Sequence, residues 1–314
     1  MRIIFFGSDG LGIPSLNRIL PSGHELLGVV TIPDQKKGRG RKLTVSPVKE
    51  WAVAKGVPVL DLADVNHADS LSKLKELKPD LFIVASFGTI LSDDFLGIPS
   101  KMCLNIHPSL LPKYRGASPV VQTLLNGDAE AGTTIMQIAT ELDSGDILLQ
   151  KKITLTGHEG LTELSAKLSD LSADLMMEVI DQMERNSACP TPQNHSSATY
   201  CGKIKKTDAV LDWQEKAFVL HNKVRALSVW PGVRACFRGK EVKILQTAWD
   251  DDSGNHEAGL VDEVDAQKGI AVQTGSGRLW IQRIQPAGGK PMDIASFLNG
   301  CPVKPGEIAT APSK

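Results

Sequence analysis

Three apolar runs in the first third of the chain, Ile3 to Phe6, Leu26 to Ile32 and Leu81 to Ala85, lack the alternating polar positions of a half-exposed strand. Strands that are apolar on both sides must be covered on both sides, which is the condition of a parallel sheet. Segments with helical spacing separate the runs: Pro14 to Leu20, Pro47 to Ala54 and Leu71 to Leu77. The expected architecture is a doubly wound α/β domain. A long helix carrying Leu161, Leu164, Leu168, Leu171, Leu175 and Val179 at spacings of three and four should close it.

The pattern changes after that helix. Residues 186–197 (NSACPTPQNHSS) are rich in proline and small polar residues, the composition of a linker. Beyond Asp208, short apolar runs are punctuated by glycine: Val233 to Phe237, Val242 to Thr247, Gly259 to Val264, Gly269 to Gln273 and Leu279 to Ile284. They suggest a small β-barrel. The expected division is residues 1–185, a linker at 186–206, and 207–314, and two domains suit a chain of 314 residues.

Composition excludes several classes. No run approaches the roughly 20 apolar residues that span a bilayer, and Met1 to Phe6 is too short for the core of a signal peptide. Five cysteines form no C-x-x-C pair and include an odd member, so reduced thiols in a cytoplasm are expected. Gly7, Gly10 and Gly12 follow the first strand as G-x-x-G-x-G. The phosphate-binding order is G-x-G-x-x-G, with an acid after strand two, and neither is present. The domain is therefore read as Rossmann-like without a nucleotide cofactor.

Chemistry concentrates in Leu104 to Pro119 (LNIHPSLLPKYRGASP). Asn105 and His107 stand two apart on an apparent strand, so their side chains share a face, and Pro108 stops the strand with both near its carboxyl end. Open α/β sheets bind ligands at that edge. Taken in isolation, an N-x-H is more ordinarily a hydrogen-bonded core histidine beside a strand-end turn asparagine. A second polar cluster, Glu141-Leu-Asp143-Ser-Gly145-Asp146, lies between apolar runs at 133–138 and 147–149, as a loop between strands does. Its carboxylates reach His107 if those strands are neighbours; an ordinary Asx turn is the other reading. No second histidine stands at ligand spacing, so no metal is expected.

These residues resemble a known family. NIHPSLLPKYRGASP followed by ELDSGDIL is similar to the formyltransferases that use 10-formyltetrahydrofolate, and the branch acting on methionyl-tRNA is the nearest match. Pro33-Asp34 with Gly38 to Lys42, Thr199-Tyr200 with Lys203-Ile204 and Lys206, and Arg225-Ala226 with Trp230-Pro231-Gly232 extend the likeness from Met1 to about Lys290. The resemblance implies a catalytic trio of Asn105, His107 and Asp143. It implies 10-formyltetrahydrofolate as cosubstrate, held at Ser109, Leu110, Leu111 and Pro112. By position, Val84 to Gly88, including Phe87 and Gly88, should line the pterin pocket. The barrel would be OB-like and would help hold initiator methionyl-tRNA, with no membrane and no obligatory protein partner. Ser8 to Gly12 departs from the family's usual stretch.

In that setting Asn105 would donate to a developing oxyanion, and His107 would donate or deliver charge beside it. Asp143 would orient His107 and raise its pKa, or relay the amine proton. The segment Gln35 to Leu43 holds Lys36, Lys37, Arg39, Arg41 and Lys42 with no acid. A solvated surface loop explains that charge by itself. Beside the sheet edge the same cations suit acceptor-stem phosphates, and the resemblance implies that Arg39 enters the acceptor end. Lys203, Lys205 and Lys206 form a lesser cluster. From Lys206 to Lys314 there are 14 Lys plus Arg against 13 Asp plus Glu, so the barrel is not broadly basic.

Two other readings stay open. A formyltransferase for a small amine, such as glycinamide ribonucleotide or an amino sugar nucleotide, would keep the trio and the folate segment but would not need the Gly38 to Lys42 cations. A non-enzymatic tRNA-binding protein would need neither the trio nor Ser109 to Pro112.

Overall fold

A computed structural model describes residues 1–37, 42–252, 254 and 257–311. The chain divides into two compact units. The first comprises 1–119, 130–154 and 165–202, and the second comprises 120–129, 155–164 and 203–314. Of the linker expected at 186–206, residues 186–202 are thus packed into the first unit and 203–206 into the second.

The first unit is built on strands β1 (Arg2–Gly7), β2 (Glu25–Val30), β3 (Gln35–Lys37), β4 (Lys42–Thr44), β5 (Leu81–Ala85), β6 (Met102–His107), β7 (Arg115–Gly116), β8 (Glu130–Gln137), β9 (Ile147–Thr154) and β10 (Tyr200–Cys201). Its helices are α1 (Ile13–Ile19), α2 (Pro47–Lys55), α3 (Ala68–Glu76), α4 (Asp93–Leu96) and, from residue 165 onward, α6 (Leu161–Glu184), whereas α5 (Pro119–Asn126) belongs to the second unit from residue 120. The main sheet runs β2-β1-β5-β6-β8-β9. The first four strands are parallel, the arrangement expected of strands covered on both faces, whereas β8 and β9 join antiparallel. An apolar run carries no direction, so that reversal was not legible.

Both faces of the sheet are covered. Ile3, Phe5, Ile83, Leu104 and Ile106 pack with Leu16 and Ile19 of α1, Trp51 of α2, and Leu175, Met176 and Val179 of α6. On the other face Ile4, Phe6, Phe82 and Cys103 pack with Leu74 of α3 and Phe95 of α4. The rings of Phe6, Phe82 and Phe95 meet with centroids about 5 Å apart, Phe6 edge-on to each of the others and Phe82 tilted against Phe95. Helix α2 shows how local signals set these elements. Ser46 accepts from the Lys49 amide, Pro47 opens the first turn, and Gly56 stops the helix at φ +68°.

The second unit holds α7 (Ala217–Ala226), β11 (Arg234–Phe237), β12 (Lys240–Asp250), β13 (Val261–Asp265), β14 (Gly269–Gln273), β15 (Arg278–Pro286), β16 (Met292–Asp293) and α8 (Ile294–Gly300). Its antiparallel sheet runs β11-β12-β15-β14-β13, with β16 paired to β15. Chain 308–310 bridges Leu260 and Cys236, joining the two edges of this barrel-like sheet. The glycine-punctuated runs mark most of these strands, whereas α7 and α8, which lie before and after them in the chain, leave no mark in that pattern.

Candidate active site

On β6 the alternation separates two kinds of residue. Leu104 and Ile106 enter one core, so Asn105 and His107 share the opposite face, and His107 is the last strand residue. β8 pairs beside them, Asn105 opposite Met136 and His107 opposite Thr134. The loop after β8 then folds back. Asp143 Oδ2 lies 3.6 Å from His107 Nδ1, and Asp143 Oδ1 accepts from Asn105 Nδ2 at 3.4 Å. The Gly116 amide donates to Asp143 Oδ2 at 2.8 Å. The structure therefore brings together all three residues singled out from the sequence.

Gly145 is required in that loop, since a Cβ there would lie 1.9 Å from the Gln137 carbonyl oxygen. Gly116 is similarly confined. Its φ is +119°, and a Cβ would approach the Cys201 carbonyl oxygen to 2.2 Å. That close approach lets β10 pair with β7, bringing Thr199 to Cys201 alongside Tyr114 to Ala117.

His107 Nε2 lies 2.9 Å from the Tyr114 carbonyl oxygen. A carbonyl only accepts, so Nε2 carries a hydrogen, and the neutral ring turns the lone pair of Nδ1 toward Asp143. Burial holds His107 below the ordinary histidine range, and the Arg115 cation adds to this, against the opposing pull of Asp143 and the Tyr114 carbonyl. Asp143 raises this pKa, as expected of a neighbouring carboxylate, but desolvation outweighs it. The resting imidazole is neutral and can take a proton at Nδ1.

The segment after His107 is held tightly. Ser109 Oγ donates to the Lys113 carbonyl at 2.6 Å, and the Ser109 carbonyl accepts from Thr134 Oγ1 at 2.7 Å. Leu111 is buried, with its carbonyl accepting from Gln150 Nε2. Leu110 lies over Gly132, where a Cβ would be 2.3 Å from Leu110 Cδ2. Pro112 accepts from the Thr199 amide. On neighbouring β5, Val84 pairs with Asn105, and the chain beyond turns at Ser86 (φ 51°) and Gly88 (φ 74°). Phe87 points into the core against Phe6, whereas a Cβ on Gly88 would meet nothing within 4 Å.

Arg39 and Arg41 lie outside the described residues. Lys36 and Lys37 are on β3 and Lys42 on β4, which pair as an antiparallel ribbon. Among the described residues, His24, Asp181 and Glu184 are the one set of side chains close enough to share an ion, and it excludes the trio. No helix among them is long and apolar enough to cross a membrane. Sequence reading passed over Gln193, a buried side chain whose amide donates to the Asp143 and Gly145 carbonyls. Its only signal was a glutamine inside a proline-rich stretch.

The fold and this site meet a known group of proteins. The formyl transferase model matches residues 1–180, and the formyl transferase C-terminal domain matches 203–302, so the chain belongs to the formyl transferase family. It is similar over nearly its whole length to proteins named methionyl-tRNA formyltransferase. That of Moorella thermoacetica is 38% identical, with 98% of this chain and 99% of the relative covered. That of Syntrophomonas wolfei is 39% identical, with 98% of each covered. An N-formyltransferase from Helicobacter canadensis, solved with folinic acid and dTDP-3-aminofucose, superposes with a TM-score of 0.68. It is 20% identical and covers 88% of this chain and 97% of its own, a likeness of fold.

Proposed function

We propose that this chain transfers the formyl group of 10-formyltetrahydrofolate to the α-amino group of initiator methionyl-tRNA. The observation that carries this reading is end-to-end similarity to proteins named for that reaction, with Asn105, His107 and Asp143 gathered at one sheet edge. Residues 1–185 would carry the chemistry, and residues 207–314 would help hold the tRNA. Ser109 to Pro112 and the open backbone at Gly88 are suited to hold the folate.

10-Formyltetrahydrofolate supplies the electrophilic formyl carbon. Asn105, with a second Nδ2 hydrogen beyond the one given to Asp143, donates to the carbonyl oxygen as it gains charge. His107 accepts the proton of the attacking amine at Nδ1, and Asp143, 3.6 Å away, stabilises the imidazolium so formed. His107 then returns that proton to the departing folate nitrogen, so the net transfer consumes none. An aminoacyl amine has a pKa near or below the ~7.7 of an ordinary α-amino group, so a neutral imidazole is a sufficient base.

Lys36, Lys37, Arg39, Arg41 and Lys42 would neutralise acceptor-stem phosphates. The test is formyl transfer to charged initiator tRNA measured beside glycinamide ribonucleotide and an amino sugar nucleotide. Transfer to the tRNA alone is expected; preference for a small amine would move the chain to another branch of the family.

A further inference from the structure

The loop bearing Asp143 does not hold itself. Asp143 has φ 49°, a left-handed conformation that aspartate adopts more readily than most side chains but that surrounding contacts must still hold in place. Its carboxylate is anchored by the Gly116 amide, and its backbone is anchored from elsewhere. Gln193 Nε2 donates to the Asp143 carbonyl at 2.9 Å and to the Gly145 carbonyl at 2.7 Å. The other end of the same amide, Oε1, accepts from Arg115 Nη2 at 2.7 Å and Nε at 3.2 Å.

Arg115 is buried, and among the described residues no carboxylate forms an ion pair with it. Its remaining contacts are His195 Nδ1 at 3.2 Å and Tyr200 Oη at 3.5 Å. A buried guanidinium with neutral partners is costly, and it dictates which way the amide turns: oxygen toward the cation, nitrogen toward the two carbonyls. The segment carrying Gln193 is fixed on both sides, by Thr191 bridging Ile147 at the start of β9 and by β10 pairing with β7.

From this geometry we infer that Gln193 and Arg115 are positioning residues for formyl transfer: the oriented amide clamps the Asp143 loop so that the carboxylate meets Asn105 and His107. Chain 186–202, linker-like in composition, is on this account part of the catalytic apparatus. The inference rests on the role given to Asp143 above.

Gln193→Glu isolates the donor function, because it keeps size and an acceptor for Arg115 but offers the two carbonyls no N–H. Turnover should fall about 10- to 100-fold, the scale of a catalytic group displaced by up to 1 Å, with KM for methionyl-tRNA within about 3-fold of the parent. In an Asp143→Asn background the same change should cost less than about 3-fold more, since both act through one carboxylate. A merely structural role would lower the melting temperature and leave turnover per folded molecule unchanged.

Should Gln193→Glu fail to fold, Arg115→Lys keeps the charge and loses the two-point hydrogen bonding. It should lower turnover roughly 3- to 10-fold at unchanged KM. Normal turnover in a folded Gln193→Glu, or in Arg115→Lys when Gln193→Glu does not fold, overturns the clamp if Asp143→Asn is impaired. Normal turnover in Asp143→Asn itself would instead overturn the role of Asp143.

Discussion

Replacing Asp143 by Asn removes a charge and one of the two acceptor oxygens, the one that takes the 3.4 Å hydrogen bond from Asn105 Nδ2. Asn retains an oxygen for the Gly116 amide, 2.8 Å from Oδ2 in the parent, and its backbone carbonyl still accepts from Gln193. Beyond that long hydrogen bond, what disappears is the attraction between the carboxylate and the imidazolium formed when His107 takes the amine proton. At 3.6 Å, and with an effective dielectric constant of about 20, that attraction amounts to roughly 4 to 5 kcal/mol. With the proton about half transferred in the transition state, some 2 to 3 kcal/mol is lost, or roughly 10²-fold in rate. The assay is single-turnover formylation of charged initiator tRNA with both substrates saturating, and KM is measured separately. Turnover within about 3-fold of the parent would refute the reasoning. So would a loss confined to KM for tRNA, which would make Asp143 a binding group.

The remaining predictions concern pH and charge. Because His107 is held below its ordinary value, its ring should titrate below about pH 6.5 when followed by NMR in the free protein, and lower still in Asp143→Asn, where a favourable charge is gone; a midpoint at or above about 6.5 would contradict a neutral resting imidazole. Burial and the neighbouring Arg225 push His221 down to about 4. Its folded pKa lies below its unfolded one, so stability present above about pH 6.5 is lost as pH falls toward 4, on the order of 2 to 3 kcal/mol. Urea midpoints at pH 7 and 4.5 should therefore converge in His221→Gln, and an unchanged difference would count against it. Neutralising two of Lys36, Lys37, Arg39, Arg41 and Lys42 should flatten the salt dependence of tRNA binding by about 0.7 to 0.9 log unit for each phosphate that is no longer neutralised. Arg39→Lys keeps the charge but not the planar fork, and should narrow the preference for initiator over elongator tRNA; an unchanged preference would reduce Arg39 to general charge.

Periodicity and punctuation were enough to read much of this protein from its residues. The both-sided apolar runs at Ile3, Leu26 and Leu81 require a sheet covered on two faces, and the observed helices supply the cover. The two-residue step from Asn105 to His107 and the stop at Pro108 set both side chains on one face at the end of β6. These are local properties, decided among residues a few positions apart. Tertiary structure decided what depends on distant pairing. The antiparallel entry of β8 and β9, the return of Asp143 over His107, and the net lowering of that imidazole's pKa follow from packing and burial. The Arg115 to Gln193 hydrogen bond spans 78 positions, and Gln193 reaches Asp143 across 50. A glutamine in a proline-rich stretch looks like linker because its composition is a linker's; its partners exist only once the sheet has brought β7, β9 and β10 around one loop.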